Sequence, residues 1–370
     1  MNVLIKRYLK AILYIFEHQR RLQVSIIVIL TLALLAWVAH LPFNEIAICG
    51  VHLSSESCAT VKLPERTRAT VSPHKRRLFV RLPGLSARLG NRIFAHAALL
   101  GLAADTGLQA TMSSDDDMYI LKSIFALTTP VVTDVRRAHL RTVKWPWRTA
   151  VYVPPPINLT GGAAEDDDIE VIGYFQSWRY FQAVDERVRA EFRFRNHVAD
   201  AAARVLRQLT AKYRKSSSNL VLVGIHVRRN DMALLRHRQR GYTVADGHYL
   251  RRAMNYVADR VTTEANSTAM SLLFIVCTDD ELWTRLNVNT TSYPVVFSSS
   301  LNRKREVDLA VLASCDHVIT TVGTFSWWAG YLHRPDGITV YYAGFPKPGT
   351  EIGKDFLAED FFPPGWIGLL

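Results

Sequence analysis

The sequence predicts an α/β protein built on parallel sheet, carried behind one membrane-spanning segment. Three observations predict it. Asn219–Val227 and Ser271–Cys277 are continuous apolar runs rich in β-branched residues, as expected of strands buried on both faces. Helical patterns alternate with these and later strands, the signature of parallel sheet. Near the N-terminus, Leu22–Leu41 carries no charge and matches the ~20 residues a helix needs to cross a bilayer.

The 370 residues are enough for two domains of ordinary size. Lys and Arg number 45 against 33 Asp and Glu, a net of +12. Residues 1–81 hold twelve of the bases and four of the acids, so +8 of the excess is N-terminal and only +4 remains for the body. That body shows no basic stripe interleaved with aromatics, which excludes a nucleic-acid partner.

Lys6, Arg7, Lys10, Arg20 and Arg21 precede the apolar run, opposed by Glu17 alone. The positive flank stays cytoplasmic, giving a tail over 1–21, a signal-anchor over 22–41 and a body on the far side. The run is longer and later than the core of a cleaved signal peptide. Residues 42–78 contain Pro42, Pro64 and Pro73 with no sustained period, and read as a stem. Asn158, Asn266 and Asn289 open glycosylation sequons, in keeping with a lumenal body. Four cysteines are too few for a disulfide scaffold. Local pairing joins Cys49 to Cys58 and Cys277 to Cys315, with buried free thiols the alternative for the second pair.

The body divides into a less legible stretch, 79–210, and a clearer one, 211–370. In the first, Asn91–Leu102 reads as helix and Glu170–Tyr174 as strand. In the second, an amphipathic helix follows Asp246, its expected N-cap. After the Ser271–Cys277 strand come a helix around Val307–Ser314, a strand at His317–Thr321, a helix starting near Ser326 and a strand at Gly337–Tyr342. This is a sheet of Rossmann type.

Ligands of open parallel sheets sit beyond the carboxyl ends of the strands. Arg228, Arg229, Asn230 and Asp231 follow the first strand, with His226 just before them. Asp279 and Asp280 follow the second, and Gly323, Thr324, Phe325 and Ser326 the third. Paired arginines grip a diphosphate through bidentate, charge-assisted bonds. The Gly-Thr-Phe-Ser turn at a helix start offers free N–H groups and hydroxyls to phosphate. Asp279 has the acceptors that the Watson–Crick edge of a guanine requires. Taken singly, each has a bland reading as a surface pair, a helix cap or a loop acid; their agreement at three successive strand ends describes a nucleotide-diphosphate pocket. No Gly-x-Gly-x-x-Gly follows a strand and no Walker loop is present, against nicotinamide or ATP. The acidic triplets Asp115–Asp117 and Asp166–Asp168 read as a helix N-terminus and a loop rather than metal sites.

Gly224-Ile-His-Val-Arg-Arg-Asn-Asp231 resembles the first motif of the galactoside α-1,2-fucosyltransferases, glycosyltransferase family 11. Arg88-Leu-Gly-Asn-Arg-Ile-Phe94, Gly173-Tyr-Phe-Gln-Ser177, Gly241 through Tyr249-Leu250, Thr278-Asp279-Asp280 with Trp283, and Thr321 through Leu332 are similar to further family elements. The resemblance runs from about Arg81 to Leu370. Departures are Arg92 where Gln is usual, Asn230 where many members have Gly, and Ser326-Trp327 where Gly-Phe is common.

The resemblance implies a GT-B-like enzyme with two Rossmann-type domains, acceptor-side over 79–210 and donor-binding over 211–370. It implies a GDP-fucose donor, no required metal or other cofactor, inversion at the fucose anomeric carbon, and a galactose-containing glycan acceptor attacked at its 2-hydroxyl. It places the chain in the Golgi membrane as a single-pass type II protein with a lumenal catalytic domain, and admits a homo-oligomer. By carry-over, Arg228 and Arg229 bind the diphosphate with help from Gly90, Asn91, Thr324, Phe325 and Ser326, and Asp279 meets the guanine. Arg228 is catalytic, and Asp231 and His226 are the candidates for the base. Alternatives are fucose transfer in another linkage, α-1,6 or protein-O, and a catalytically dead GDP- or glycan-binding protein on the same fold.

Overall fold

The computed structural model describes residues 75–370, apart from 85–87, 134, 136–138, 147–149, 157–158, 160–166, 215–218, 265–269 and 303. The expected tail, signal-anchor and most of the stem, with Cys49, Cys58, Asn158 and Asn266, lie outside the described residues. Among the described residues no helix is long and apolar enough to cross a membrane.

The first sheet begins at β1 (Arg77–Arg81), two residues inside the stretch read as stem. Helix α1 (Leu89–Thr106) follows, then β2 (Gln109–Ala110), and a small parallel pair of β3 (Met112–Ser113) with β4 (Val131–Val132). β5 (Leu140–Lys144) and β6 (Asp168–Ile172) complete a parallel sheet in the order β2-β1-β6-β5. Helices α2 (Asp185–Glu191) and α3 (Asn196–Arg214) lead to the second half.

The second sheet holds β7 (Leu220–Val227), β8 (Ser271–Thr278), β9 (Val295–Phe297), β10 (His317–Thr320), β11 (Thr339–Tyr342) and β12 (Ile367–Leu369). All pair in parallel in the order β12-β11-β10-β7-β8-β9, the doubly wound order 3-2-1-4-5-6. The connecting helices are α4 (Leu235–Arg240), α5 (Gly247–Glu264), α6 (Glu281–Asn287), α7 (Arg305–Ala313) and α8 (Thr324–Leu332). The strands read from apolar runs stand within two residues of their expected bounds. Two parallel α/β sheets on one chain agree with the GT-B-like expectation, and among the described residues both belong to one compact unit.

One hydrophobic core reaches from β1 and α1 to α7 and α8. Phe94 of α1 lies 4.5 Å from the Trp327 ring and 5.0 Å from that of Trp328. Both tryptophans are buried, and Trp327 Nε1 donates to the Phe361 carbonyl at 2.7 Å. Trp327 is therefore a core residue. α1 packs so closely that a Cβ on Gly101 would stand 1.8 Å from the Tyr180 carbonyl oxygen.

α1 is pinned again by a buried polar cluster. Glu191 Oε2 accepts the Thr128 N–H at 3.0 Å and lies 3.5 Å from His96 Nε2, and Thr128 Oγ1 donates to Oε1. Burial alone would raise the Glu191 carboxyl, but the bonds from His96 and Thr128 outweigh it and hold it at about 2.

Cys277 and Cys315 are buried free thiols, not a disulfide. Each thiol turns to main chain on α7, Cys277 toward the Asp308 carbonyl and Cys315 toward that of Val311. Burial pushes both thiols up, which keeps them protonated. Asp168, of the second acidic triplet, is a β6 residue whose carboxylate accepts from the Arg77 main chain and guanidinium, so it is a structural ion pair. Asp116, of the first, caps a short 3₁₀ turn through the Met118 N–H at 2.9 Å.

Gly101→Ala should destabilise the protein by about 1–3 kcal/mol although alanine favours helix, because the methyl meets fixed backbone. Chemical denaturation reads this, and an unchanged midpoint contradicts it. A carboxyl held low contributes stability above its ordinary value of 4.5 that is lost as pH falls toward about 2. The melting temperature of the wild type should thus fall more steeply across that window than that of Glu191→Gln; parallel profiles contradict the assignment.

Candidate functional site

The chain leaves β7 toward β8 on one side and returns to β10 on the other. A crevice therefore opens at the carboxyl ends of β7 and β10, the switch point where such sheets bind ligands. Thr321 spans it: its hydroxyl donates to the His226 carbonyl at 3.1 Å and accepts the Arg228 N–H at 2.9 Å.

α8 starts here after Gly323, whose φ of +92° suits glycine. The turn leaves α8 without a side-chain cap, and α1 also starts uncapped at Arg88. The two starts meet. A Cβ on Gly90 would stand 2.6 Å from the Thr324 carbonyl carbon, so close approach requires this glycine. Thr324 Oγ1 donates to Asn91 Oδ1 at 2.8 Å, and Gln176 Nε2 donates to the same oxygen at 3.0 Å. Two sets of free N–H groups and two positive helix ends thus converge, an arrangement that attracts anions.

The arginines are held by carboxylates. Arg228 Nη2 lies 2.5 Å from Asp231 Oδ1 and its Nη1 3.1 Å from Asp279 Oδ2. Arg88 Nη2 lies 2.9 Å from Asp231 Oδ2. Arg229 sets its guanidinium 3.6 Å over the Trp283 ring, donates to the Ala245 carbonyl at 3.0 Å and lies 3.5 Å from Asp280. Burial lowers the Arg229 pKa against the pull of Asp280 and Asp279. Asp279 Oδ1 accepts the Arg229 N–H at 2.8 Å, and Asn230 Nδ2 donates to the Asp279 carbonyl. Burial raises the Asp279 carboxyl, and the Arg229 N–H and Arg228 oppose it. Beyond Arg229 a cleft of about 920 Å³ opens beside Trp283 and Tyr342.

The structure brings together Gly90, Asn91, Arg228, Arg229, Asp231, Asp279 and Thr324. The contacts of four of the expected residues bear on their roles. Asp279 turns both oxygens to the arginines. Ser326 is buried, its hydroxyl donating to the Val322 carbonyl at 3.0 Å and lying 2.5 Å from His226 Nδ1, so it does not offer itself to phosphate. Asp231 divides its oxygens between two arginines. His226 lies against the Phe325 ring at 4.7 Å, and burial lowers its pKa to about 3, so it is neutral. Arg88, Gln176 and Thr321 join the site without having been singled out for it. Each stands inside a recognised motif, but only the tertiary contacts assign it a partner. Among the described residues no group of three or more His, Cys, Asp or Glu is placed to hold a metal ion.

Comparison with known proteins bears on this site. The model of the family "Glycosyl transferase family 11" matches residues 73–370. Galactoside alpha-(1,2)-fucosyltransferase 1 of Sus scrofa is 30% identical over 289 residues, covering 76% of this chain and 73% of the relative. Galactoside 2-alpha-L-fucosyltransferase SEC1 of Bos taurus is 31% identical over 289 residues, covering 76% and 72%. Among solved structures, the fucosyltransferase NodZ from Bradyrhizobium is 16% identical with a TM-score of 0.41, over 70% of this chain and 93% of that one. With its arginine pair, helix starts and strand-end acids all inside the matched stretch, this chain belongs to glycosyl transferase family 11.

Proposed function

We propose that the chain is an inverting α-1,2-fucosyltransferase that moves L-fucose from GDP-fucose to the 2-hydroxyl of a terminal β-galactoside on a glycan. The observation that carries this reading is Arg228, fixed between Asp231 and Asp279 at the switch point of a family 11 chain. In the reaction the acceptor oxygen bonds to the fucose anomeric carbon from the face opposite GDP as its O–H bond breaks, and the proton passes to a base, for which Asp231 and His226 are the candidates. The bond from that carbon to the phosphate oxygen breaks, and its electron pair leaves with GDP. Positive charge grows on the sugar ring as in glycoside cleavage. Negative charge grows on the diphosphate, where Arg228 and the free N–H groups of α1 and α8 stabilise it. Because the carboxylates hold Arg228 in place beforehand, little reorganisation accompanies the step. Arginines that supply this neutralisation support a reaction without a required metal. The uncharged run at Leu22–Leu41 with its basic flank supports a Golgi-membrane protein with this domain in the lumen.

Incubating the full chain with GDP-fucose and a panel of β-galactosides, with and without a chelator, should yield fucose on the galactose 2-hydroxyl at a chelator-independent rate. Transfer to another position, or loss of transfer with the chelator, contradicts the reading. Arg228→Ala should lower kcat by roughly 10²–10³ while the protein stays folded by circular dichroism. Near-normal turnover removes Arg228 from the leaving-group site.

A further inference from the structure

The cleft beyond Arg229 carries more positive charge than a diphosphate calls for. Arg229, Arg238 on α4, Arg251 on α5 and Lys347 after β11 all line its space of about 920 Å³. Asp246 is the one carboxylate among the lining residues, and its Oδ1 caps α5 by accepting the Tyr249 N–H at 2.8 Å. Arg238, Arg251 and Lys347 are exposed and form no ion pair with any described residue. Nearby bases do find acids: Arg240 is bidentate with Glu351, and Arg285 pairs with Glu281. The three cations come from three separate elements, so their convergence on one cavity is a product of the fold and not of one basic helix face.

The residues gathered at the two helix starts stand apart from this charge. Arg88, Arg228, Asn91 and Thr324, which gather at the two helix starts, do not line the cleft. Arg229 alone joins the two regions, with its guanidinium against Trp283. A molecule filling the cleft therefore ends beside the arginine pair and runs outward along a cationic wall. The volume lies at the upper end of the ~300–1,000 Å³ of small-molecule sites. A neutral glycan would leave the three cations without counter-charge, whereas sulfate and carboxylate groups accept charge-assisted bonds from Arg and Lys.

We propose that this cleft, on the 211–370 half rather than the 79–210 half that the resemblance gives to the acceptor, is the acceptor site and that its preferred acceptor is acidic: a galactose-terminated oligosaccharide bearing a sulfate or carboxylate. The proposal rests on the fucosyltransferase reading, and its test separates the two. The full chain, purified in detergent and saturated with GDP, is titrated by calorimetry with lactose, a sulfated lactose and lactobionate, a carboxylate that keeps its terminal galactose, which needs no turnover. At least one acidic sugar should bind roughly tenfold or more tightly than lactose, and the advantage should shrink with added salt. The stronger of the two identifies sulfate or carboxylate as the group read. The triple variant Arg238→Gln, Arg251→Gln, Lys347→Gln should lose that advantage. Fucose transfer is then read on the same sugars, where the acidic-over-neutral ratio of kcat/KM should fall in the variant. Equal binding of acidic and neutral sugars, or an advantage that survives the triple variant, overturns the proposal. So does a variant that raises the KM for GDP-fucose while leaving the acceptor ratio intact, since the cleft then belongs to the nucleotide. Binding as proposed with no transfer to any sugar would contradict the fucosyltransferase reading alone.

Discussion

The site depends on keeping arginines close together beside a strand end without letting them repel or wander. Three aspartates do this. Asp231 bridges Arg88 and Arg228, Asp279 holds the Arg228 guanidinium and the Arg229 main chain, and Asp280 faces the Arg229 guanidinium. Asp231 comes from the loop after β7 and Asp279 and Asp280 from that after β8, strands paired from Leu220 with Ser271 to Val227 with Thr278. The register of those two strands thus sets where the positive charge sits. Desolvation makes the arrangement demanding, because removing one partner leaves a charge without its counter-charge in a partly buried setting.

The second constraint is the approach of α1 to α8. Gly90 permits it and the Thr324 hydroxyl, bonded to Asn91, fixes it. Because Trp327 and Trp328 pack on Phe94 one turn further on, the core that joins the two sheets also aligns the helix starts. The Asn230 amide ties the arginine loop to the Asp279 carbonyl.

What the sequence discloses follows from how local each signal is. β7 and β8 are buried on both faces, so their apolar runs are continuous and readable. β1 is flanked by arginines and β2 has two residues, and such strands exist only through their neighbours. α2 and α3 were likewise not legible beside the stronger motifs. The site residues were recognisable by type and place, but their partners were not. A carboxylate after a strand can meet a ligand or an arginine, and only the fold turns Asp279 to Arg228. The Ser326 hydroxyl stands two residues beyond Thr324, a position that a helix turns inward, to His226. Cys277 and Cys315 illustrate the same limit, since the pairing of two thiols depends on directions that spacing does not carry.

The central claim is that Arg228 and the paired helix starts read a diphosphate. Calorimetric titration of the full chain with GDP and with GMP tests it most directly, because GMP lacks the second phosphate. The account predicts that GDP binds at least roughly tenfold more tightly than GMP and that Arg228→Ala erases most of the difference. Equal affinities in the wild type, or a preference for GDP that survives in Arg228→Ala, would contradict it.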